Sequence, residues 1–192
     1  MGWHDSYSNL SFPPPMKLPL KLTGMVLLTL FSAVSAAAEE IGTWSFGESK
    51  AADGAVIHSA SLNSTNLIAS SYQSTDYAAV YTIACQAGDP TKWNQWLQLE
   101  DALSSRGQIE LVATVDKKIP REEFWIVGDD KHILTRENTP DIAELRAAKT
   151  LKLTWNWGWS WLWLSDKARF DLGDVEAVIF TLAKSCGIEK PQ

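Results

Sequence analysis

Between residues 151 and 163 the chain carries a large apolar side chain at every second position. The series is Leu151, Leu153, Trp155, Trp157, Trp159, Trp161 and Trp163. A period of two is typical of a β-strand, in which alternate side chains share one face. The sequence therefore predicts a strand over residues 150–164, and any fold of this chain must cover or use its tryptophan-rich face.

Burial and binding are both open for this face. An indole buries about 150–250 Å², so five of them need about 750–1250 Å² of cover, more than one helix provides. Left exposed, they would form an apolar patch of a kind that monomers seldom leave bare. Sugar rings, protein partners and membrane interfaces all use tryptophan. We take five residues as candidate ligand-binding residues: Trp155, Trp157, Trp159, Trp161 and Trp163. The alternatives are full burial of all five and a mixed case in which two or three are exposed at one end or in a cleft.

The segment from Met16 to Glu39 has the order of a secretory signal peptide. Lys17 and Lys21 precede an apolar run over 22–34, and small residues follow it. The run is short for a bilayer span, so an uncleaved anchor is the lesser alternative. We expect residues 1–38 to be an N-terminal extension and signal peptide, with Met16 as the true start and cleavage between Ala36 and Glu39. Residues 39–192 would then form a single domain in the periplasm or outside the cell.

The charge of the expected mature chain excludes some partners. Residues 1–38 contain two lysines and one aspartate of the 17 basic and 23 acidic residues, which leaves 15 basic and 22 acidic. A charge of about −7 argues against nucleic acid, because phosphate binding needs a dense basic patch. It also disfavours contact with an anionic membrane surface.

Two cysteines remain in the expected mature chain, Cys85 and Cys186. In an exported protein an even pair indicates one disulfide, whereas a metal site would want more ligands. We therefore predict a bridge that ties the middle of the domain to its C-terminal helix.

Hydrophobic periodicity predicts an α+β fold, with a mainly antiparallel sheet and two helices. AGDPTK (87–92) is expected to be a loop because of its Gly-Asp-Pro sequence. In QIELVATVD, the four residues Ile109, Leu111, Ala113 and Val115 should share a face. Strands are expected over 41–46, 55–65, 77–85, 93–101, 108–116, 122–128, 131–136 and 150–164, and helices over 139–149 and 171–187, the second starting near Asp171 or Asp174.

Several of these segments, in this order, resemble a known family. They are VYTIAC (80–85), LVATVD (111–116), EEFWIVGDD (122–130), AELRAAKTLKL (143–153) and FDLGDVEAVIFTLAKSC (170–186). They resemble the type VI secretion-associated periplasmic proteins, the VasI or TagO family, and uncharacterised exported relatives, over about residues 40–186. The resemblance implies an envelope location and a bridge between the matching cysteines, and it offers no catalytic residues. The tryptophan series departs from the family's usual pattern.

Catalytic and metal chemistry have weaker signals. His58 lies among serines, but no G-x-S-x-G motif accompanies it. Asp129, Asp130 and His132 could be metal ligands, although Gly-Asp-Asp-Lys is also ordinary turn chemistry. We predict no metal, cofactor or catalytic residue.

Three carboxylate pairs could in principle serve a glycoside hydrolase. They are Glu100 with Asp101, Glu122 with Glu123, and Asp171 with Asp174. A helix start explains the last pair better, because acids are favoured there. The sequence favours an exported, non-catalytic envelope protein with a binding or accessory role, whose partner is an envelope protein or a glycan. The alternatives are a glycan-binding module or envelope hydrolase that uses strand 155–163, and an inhibitor of a lysozyme-type enzyme.

Overall fold

The computed structural model of the chain describes residues 43–70, 75–103, 107–137, 139–156, 165–189 and 191. These residues form nine strands and two helices. In chain order they are β1 (Ser45–Lys50), β2 (Val56–Asn63), β3 (Val80–Gln86), β4 (Asp89–Gln98), β5 (Gln108–Val115), β6 (Arg121–Val127), β7 (Ile133–Glu137), α1 (Thr139–Leu145), β8 (Thr150–Asn156), β9 (Ser165–Asp171) and α2 (Val175–Cys186).

All nine strands belong to one antiparallel sheet, in the order β1-β2-β3-β4-β7-β6-β5-β8-β9. The predicted α+β class is thereby confirmed. The segment after β2 reaches β9, since the Thr65 N–H donates to the Arg169 carbonyl oxygen at 2.7 Å. Because β2 and β9 lie near opposite ends of the sheet, this bond means that the sheet is strongly curved.

The inner face of this curved sheet holds the core. The β5 residues Ile109, Leu111, Ala113 and Val115 are all buried, which confirms their predicted common face. Leu111 lies opposite Trp155 of β8, and Trp155 is buried beside Leu153. The first tryptophan of the alternating series is therefore a core residue.

Helix α2 packs against β2 and β3 and is fixed there by the disulfide. Val178, Ile179 and Leu182 are buried on its inner side. Cys186, in its last turn, is bonded to Cys85 of β3, with 6.3 Å between the two Cα atoms, as predicted. Gly187 ends the helix in the left-handed conformation, at φ 64°, as expected of a helix-terminating glycine.

The prediction of a loop over AGDPTK (87–92) is wrong. The chain turns within Ala87 and Gly88, and β4 already begins at Asp89. Gly88 has a φ of 77°, which allows the chain to reverse within two residues. The prediction assigns six residues to this reversal. The pairing of β3 with β4 shifts between Cys85 and Gln86, so the extra residues are accommodated as an irregularity within the hairpin.

Strand β9 was not predicted, and it changes the start of α2. Asp171 is the last residue of β9, and the helix begins at Val175 with Asp174 at its N-cap. The sequence SDKARFD contains four charged residues, which strands usually disfavour but which an edge strand tolerates. The remainder of the predicted long strand, residues 157–164, lies outside the described residues.

Neither described helix has the length and apolar content that a membrane-spanning helix needs. The longer one, α2, has 12 residues.

Asp116 ties the turn after β5 to the start of β8. Its Oδ1 atom accepts hydrogen bonds from the N–H groups of Lys149 at 2.9 Å and Thr150 at 2.8 Å. These bonds hold the pKa of its carboxyl below the usual range. An acid with a lowered folded-state pKa stabilises the fold above its unfolded pKa, and this stabilisation is lost as the pH falls through the folded value.

Exchange of Asp116 for asparagine tests this anchor. Asparagine tolerates the positive φ of 52° at this position but offers an uncharged acceptor. We expect Asp116→Asn to lower the free energy of unfolding by about 1 kcal/mol at neutral pH, because a charged acceptor is replaced by a neutral one. Urea titrations across the acid range should show the two proteins converging below the lowered pKa. A constant gap at all pH values would contradict this role of the charge.

Candidate binding surface

Strand β6 buries one of its glutamates and exposes two of its large apolar side chains. Glu123 is 4% exposed and Trp125 is fully buried, whereas Phe124 is 60% exposed and Ile126 is 57% exposed. Such a strand reverses the usual division between core and surface. Both halves of this reversal need an explanation.

The inner half is explained by an ion-pair network around Glu123. The Oε1 atom of Glu123 accepts a hydrogen bond from Arg121 Nη2 at 2.9 Å, and its Oε2 atom accepts one from Trp125 Nε1 at 3.1 Å. Arg136 Nη1 lies 2.5 Å from the same Oε2 atom. A buried carboxylate is tolerated when it is paired and hydrogen-bonded in this way.

Helix α1 contributes the other two carboxylates of the network, those of Asp141 and Glu144. Asp141 forms ion pairs with Arg121 at 3.2 Å and with Arg136 at 2.6 Å. Glu144 accepts hydrogen bonds from Arg121 at 2.7 Å and from Lys118 at 3.0 Å, which lower its pKa. Burial raises the pKa of Asp141, against the opposing effect of the two arginines. The network therefore contains three cationic side chains and three carboxylates, so its net charge is zero.

This network leaves no cavity large enough for a ligand. The cavity inside it measures about 10 Å³ and is lined by Gln95, Glu123 and Asp141 among others. That volume is about the space of a single water molecule. The network instead fixes the register of β6, because a slip by one residue would bury Glu122 without a partner and expose Trp125. Phe124 and Ile126 are thereby held on the outer face.

The outer half forms what we call the acid-rimmed patch. At its centre are Phe124 and Ile126, and Ile126 lies opposite Thr135, which in turn lies opposite the half-buried Trp96. Around this centre lie exposed glutamates: Glu110 directly opposite Phe124, Glu122 two residues before it, and Glu137 two residues after Thr135. The patch is thus an apolar centre on the outer face of the sheet, with carboxylates around it.

An open groove lies elsewhere, between the end of α1 and the start of α2. It measures about 570 Å³, and its walls include Arg146, Lys149, Asp174, Glu176 and the exposed Phe180. Arg146 is already paired with Glu176 at 3.0 Å and donates to the Pro191 carbonyl oxygen at 3.3 Å. The groove is open and wide, and its Arg146 is engaged within the protein.

Of the five tryptophan candidates, only Trp155 lies among the described residues, near the end of β8. Trp155 is 1% exposed and lies in the core, so its indole is not part of an exposed face. The other four candidates lie outside the described residues: Trp157, Trp159, Trp161 and Trp163. Their role as a binding face stays a prediction.

The catalytic candidates are not brought together. His58 faces Glu48, with 3.7 Å between Nδ1 and Oε2, while Ser59 and Ser61 project from the opposite face of β2. Glu122 and Glu123 likewise lie on opposite faces of β6. These pairs therefore do not form a joint site.

The remaining acidic candidates have structural roles. Asp130 accepts the backbone N–H of His132 at 3.0 Å, which is the turn chemistry expected of this segment. Asp101 is buried, with one carboxylate oxygen 2.6 Å from the Ser70 hydroxyl oxygen, whereas its neighbour Glu100 is exposed. Within the described ranges, no group of three His, Cys, Asp or Glu side chains is arranged to hold a metal ion.

The acid-rimmed patch is not evident from the sequence. The run EEFWIV has large apolar residues at both odd and even positions, so periodicity did not show which face is buried. Two adjacent glutamates were the available signal: in a strand covered on one side, one of them must point inward and find cations.

Comparisons with family models, with curated proteins and with solved structures found no match to this chain. What the protein binds is therefore inferred from its own surfaces. Of the five large apolar side chains exposed among the described residues, Phe124 and Ile126 adjoin on one face.

Proposed function

We propose that this chain is an exported, non-catalytic binding protein of the cell envelope, located in the periplasm or outside the cell. The signal-like segment before Glu39 supports export. The Cys85–Cys186 disulfide supports it independently, because such bonds persist in oxidising compartments. An accessory role beside a type VI secretion system, which the family resemblance implies, is the narrower form of this proposal.

The acid-rimmed patch is the observation that carries the proposal. Adjoining exposed apolar side chains on a sheet face are typical of protein interaction sites, and aromatic residues are frequent anchors there. The buried network beneath β6 holds Phe124 and Ile126 rigidly, so little conformational entropy is lost on binding. The partner proposed for this surface is a protein.

The distribution of chemistry favours binding over catalysis. The shifted carboxyl groups Asp141 and Glu144 belong to the ion-pair network, away from the open groove. Glycan binding through the tryptophans of 157–163 remains a separate prediction. Inhibition of a lysozyme-type enzyme would be one form of protein binding.

Site-specific photocross-linking tests the proposal. A benzophenone amino acid replaces Ile126 in one strain and Phe180 in another, and the producing cells are irradiated. Phe180 is a matched control, because it is as exposed as Phe124 but lies on α2. We expect a discrete adduct from position 126 that is absent from position 180 and is lost when Phe124→Ser is added.

The controls separate binding from folding. Phe124→Ser should change the free energy of unfolding by no more than about 0.5 kcal/mol, as is usual for exposed positions. Equal cross-linking from positions 126 and 180, or an adduct indifferent to Phe124→Ser, would overturn the patch as a binding site.

A further inference from the structure

The glutamates of the acid-rimmed patch form no ion pair with any residue that the structure describes. Glu110, Glu122 and Glu137 are all exposed on one face of three neighbouring strands. In the described part of the chain, none of the three has a lysine, arginine or histidine nitrogen within 4.0 Å. Like charges placed this close on a sheet face repel one another.

The arginines of the same strands point the other way. Arg121 belongs to β6 and Arg136 to β7, the strands that carry Glu122 and Glu137, yet both arginines face inward and are held by Glu123 and Asp141. The outward field of this part of the sheet is therefore negative.

Among the described strands, cations on the outer face lie on β8 and β9 to one side of the patch and at Lys92 of β4 to the other. Lys152 lies directly opposite Arg169, and Lys167 lies opposite Thr154 on the same face. Such a like-charge pair is also unfavourable in isolation. On the described outer face, acids thus lie directly around the apolar centre and bases lie farther out.

We infer that the partner of the acid-rimmed patch is a cationic protein surface, with lysines or arginines around an apolar anchor that packs on Phe124 and Ile126. This inference rests on the proposed function and names the chemistry of its partner. Complementary charges speed encounter and exclude wrong partners. Anionic glycans and lipid headgroups meet repulsion from the three glutamates. The lysines and arginine of β8 and β9 would orient the partner by repelling its cationic side.

The test combines the cross-linker at position 126 with two charge-matched variants. The patch variant carries Glu110→Gln, Glu122→Gln and Glu137→Gln. The control variant carries Glu100→Gln, Asp129→Asn and Glu189→Gln, three exposed acids outside the patch. Both variants lose three negative charges, so a difference between them reports position and not net charge. Thermal unfolding of both verifies that the fold is kept.

We expect the patch variant to reduce the yield of the adduct by roughly tenfold, because electrostatic steering changes association by about that factor or more. The control variant should stay within about twofold of the parent. In a periplasmic extract, the parent's yield should fall as salt is raised, and the patch variant's yield should respond little. Mass spectrometry of the adduct should identify a basic protein.

Failures of the two proposals are distinguishable. An adduct at position 126 that survives the patch variant, or whose partner is acidic, overturns the cationic partner and leaves the patch as a binding site. An adduct of the chain with itself also overturns it, because the partner would be a second copy. No adduct above the level at position 180 overturns the proposed function, and this inference falls with it.

Discussion

Glu123→Ala is expected to lower the free energy of unfolding by about 3–5 kcal/mol, because it leaves buried charges unpaired. Arg121 and Arg136 would lose a shared carboxylate, and the Trp125 N–H would lose its acceptor. Removal of one partner of a buried ion pair costs more than the pair contributes. Urea denaturation measures the change as a lower midpoint at an unchanged slope.

The neighbouring residue is the matched control. Glu122→Ala removes the same side chain from the outer face of the same strand, and we expect a change of no more than about 0.5 kcal/mol. Glu123→Gln keeps the size of the side chain, and its free energy of unfolding should be closer to that of Glu123→Ala than to that of the parent. Equal stability of the two alanine variants would show that the network does not hold β6 in register.

Loss of the disulfide is expected to have an effect of similar size. The bridge closes a loop with a sequence separation of 101 residues, for which the chain-entropy model gives about 4.7 kcal/mol as an upper figure. The double variant Cys85→Ala, Cys186→Ala should therefore unfold at a much lower denaturant concentration than the oxidised parent. Both sulfurs are buried, so alanine introduces no unpaired polar group.

Reduction provides the control for this variant. The parent treated with dithiothreitol should approach the stability of the double variant, and the double variant itself should not respond to the reductant. A double variant as stable as the oxidised parent would contradict a stabilising role for the bridge. A parent that is indifferent to the reductant, beside a destabilised double variant, would assign the loss to packing at the two positions.

The parts of the fold that sequence predicted are those with one clear period or one clear pairing. β5 was predictable because Ile109, Leu111, Ala113 and Val115 alternate with residues that are mostly polar, so only one face could be buried. The disulfide was predictable because the expected mature chain contains only two cysteines.

The missed elements depended on tertiary neighbours. β9 carries Asp166, Lys167 and Arg169, and it is a strand only because β8 pairs with its whole length. Which side chains of β6 point inward depends on Arg136 from β7 and Asp141 from α1. The sequence does not place these two residues beside Glu123. Without knowing which face of β6 is buried, the acid-rimmed patch could not be predicted. The patch is the candidate site in place of the tryptophan series.

The contact between the segment after β2 and β9 has a further consequence for association between molecules. The side-chain amide of Asn66 donates to the Lys167 carbonyl oxygen at 2.9 Å, and its Oδ1 atom accepts the Arg169 N–H at 2.8 Å. One carboxamide thus imitates the peptide group of a tenth strand. With Thr65 bonded to Arg169 as well, this stretch of the sheet edge is no template for a foreign strand. Asn66 therefore protects this edge of the sheet from edge-to-edge association with other molecules.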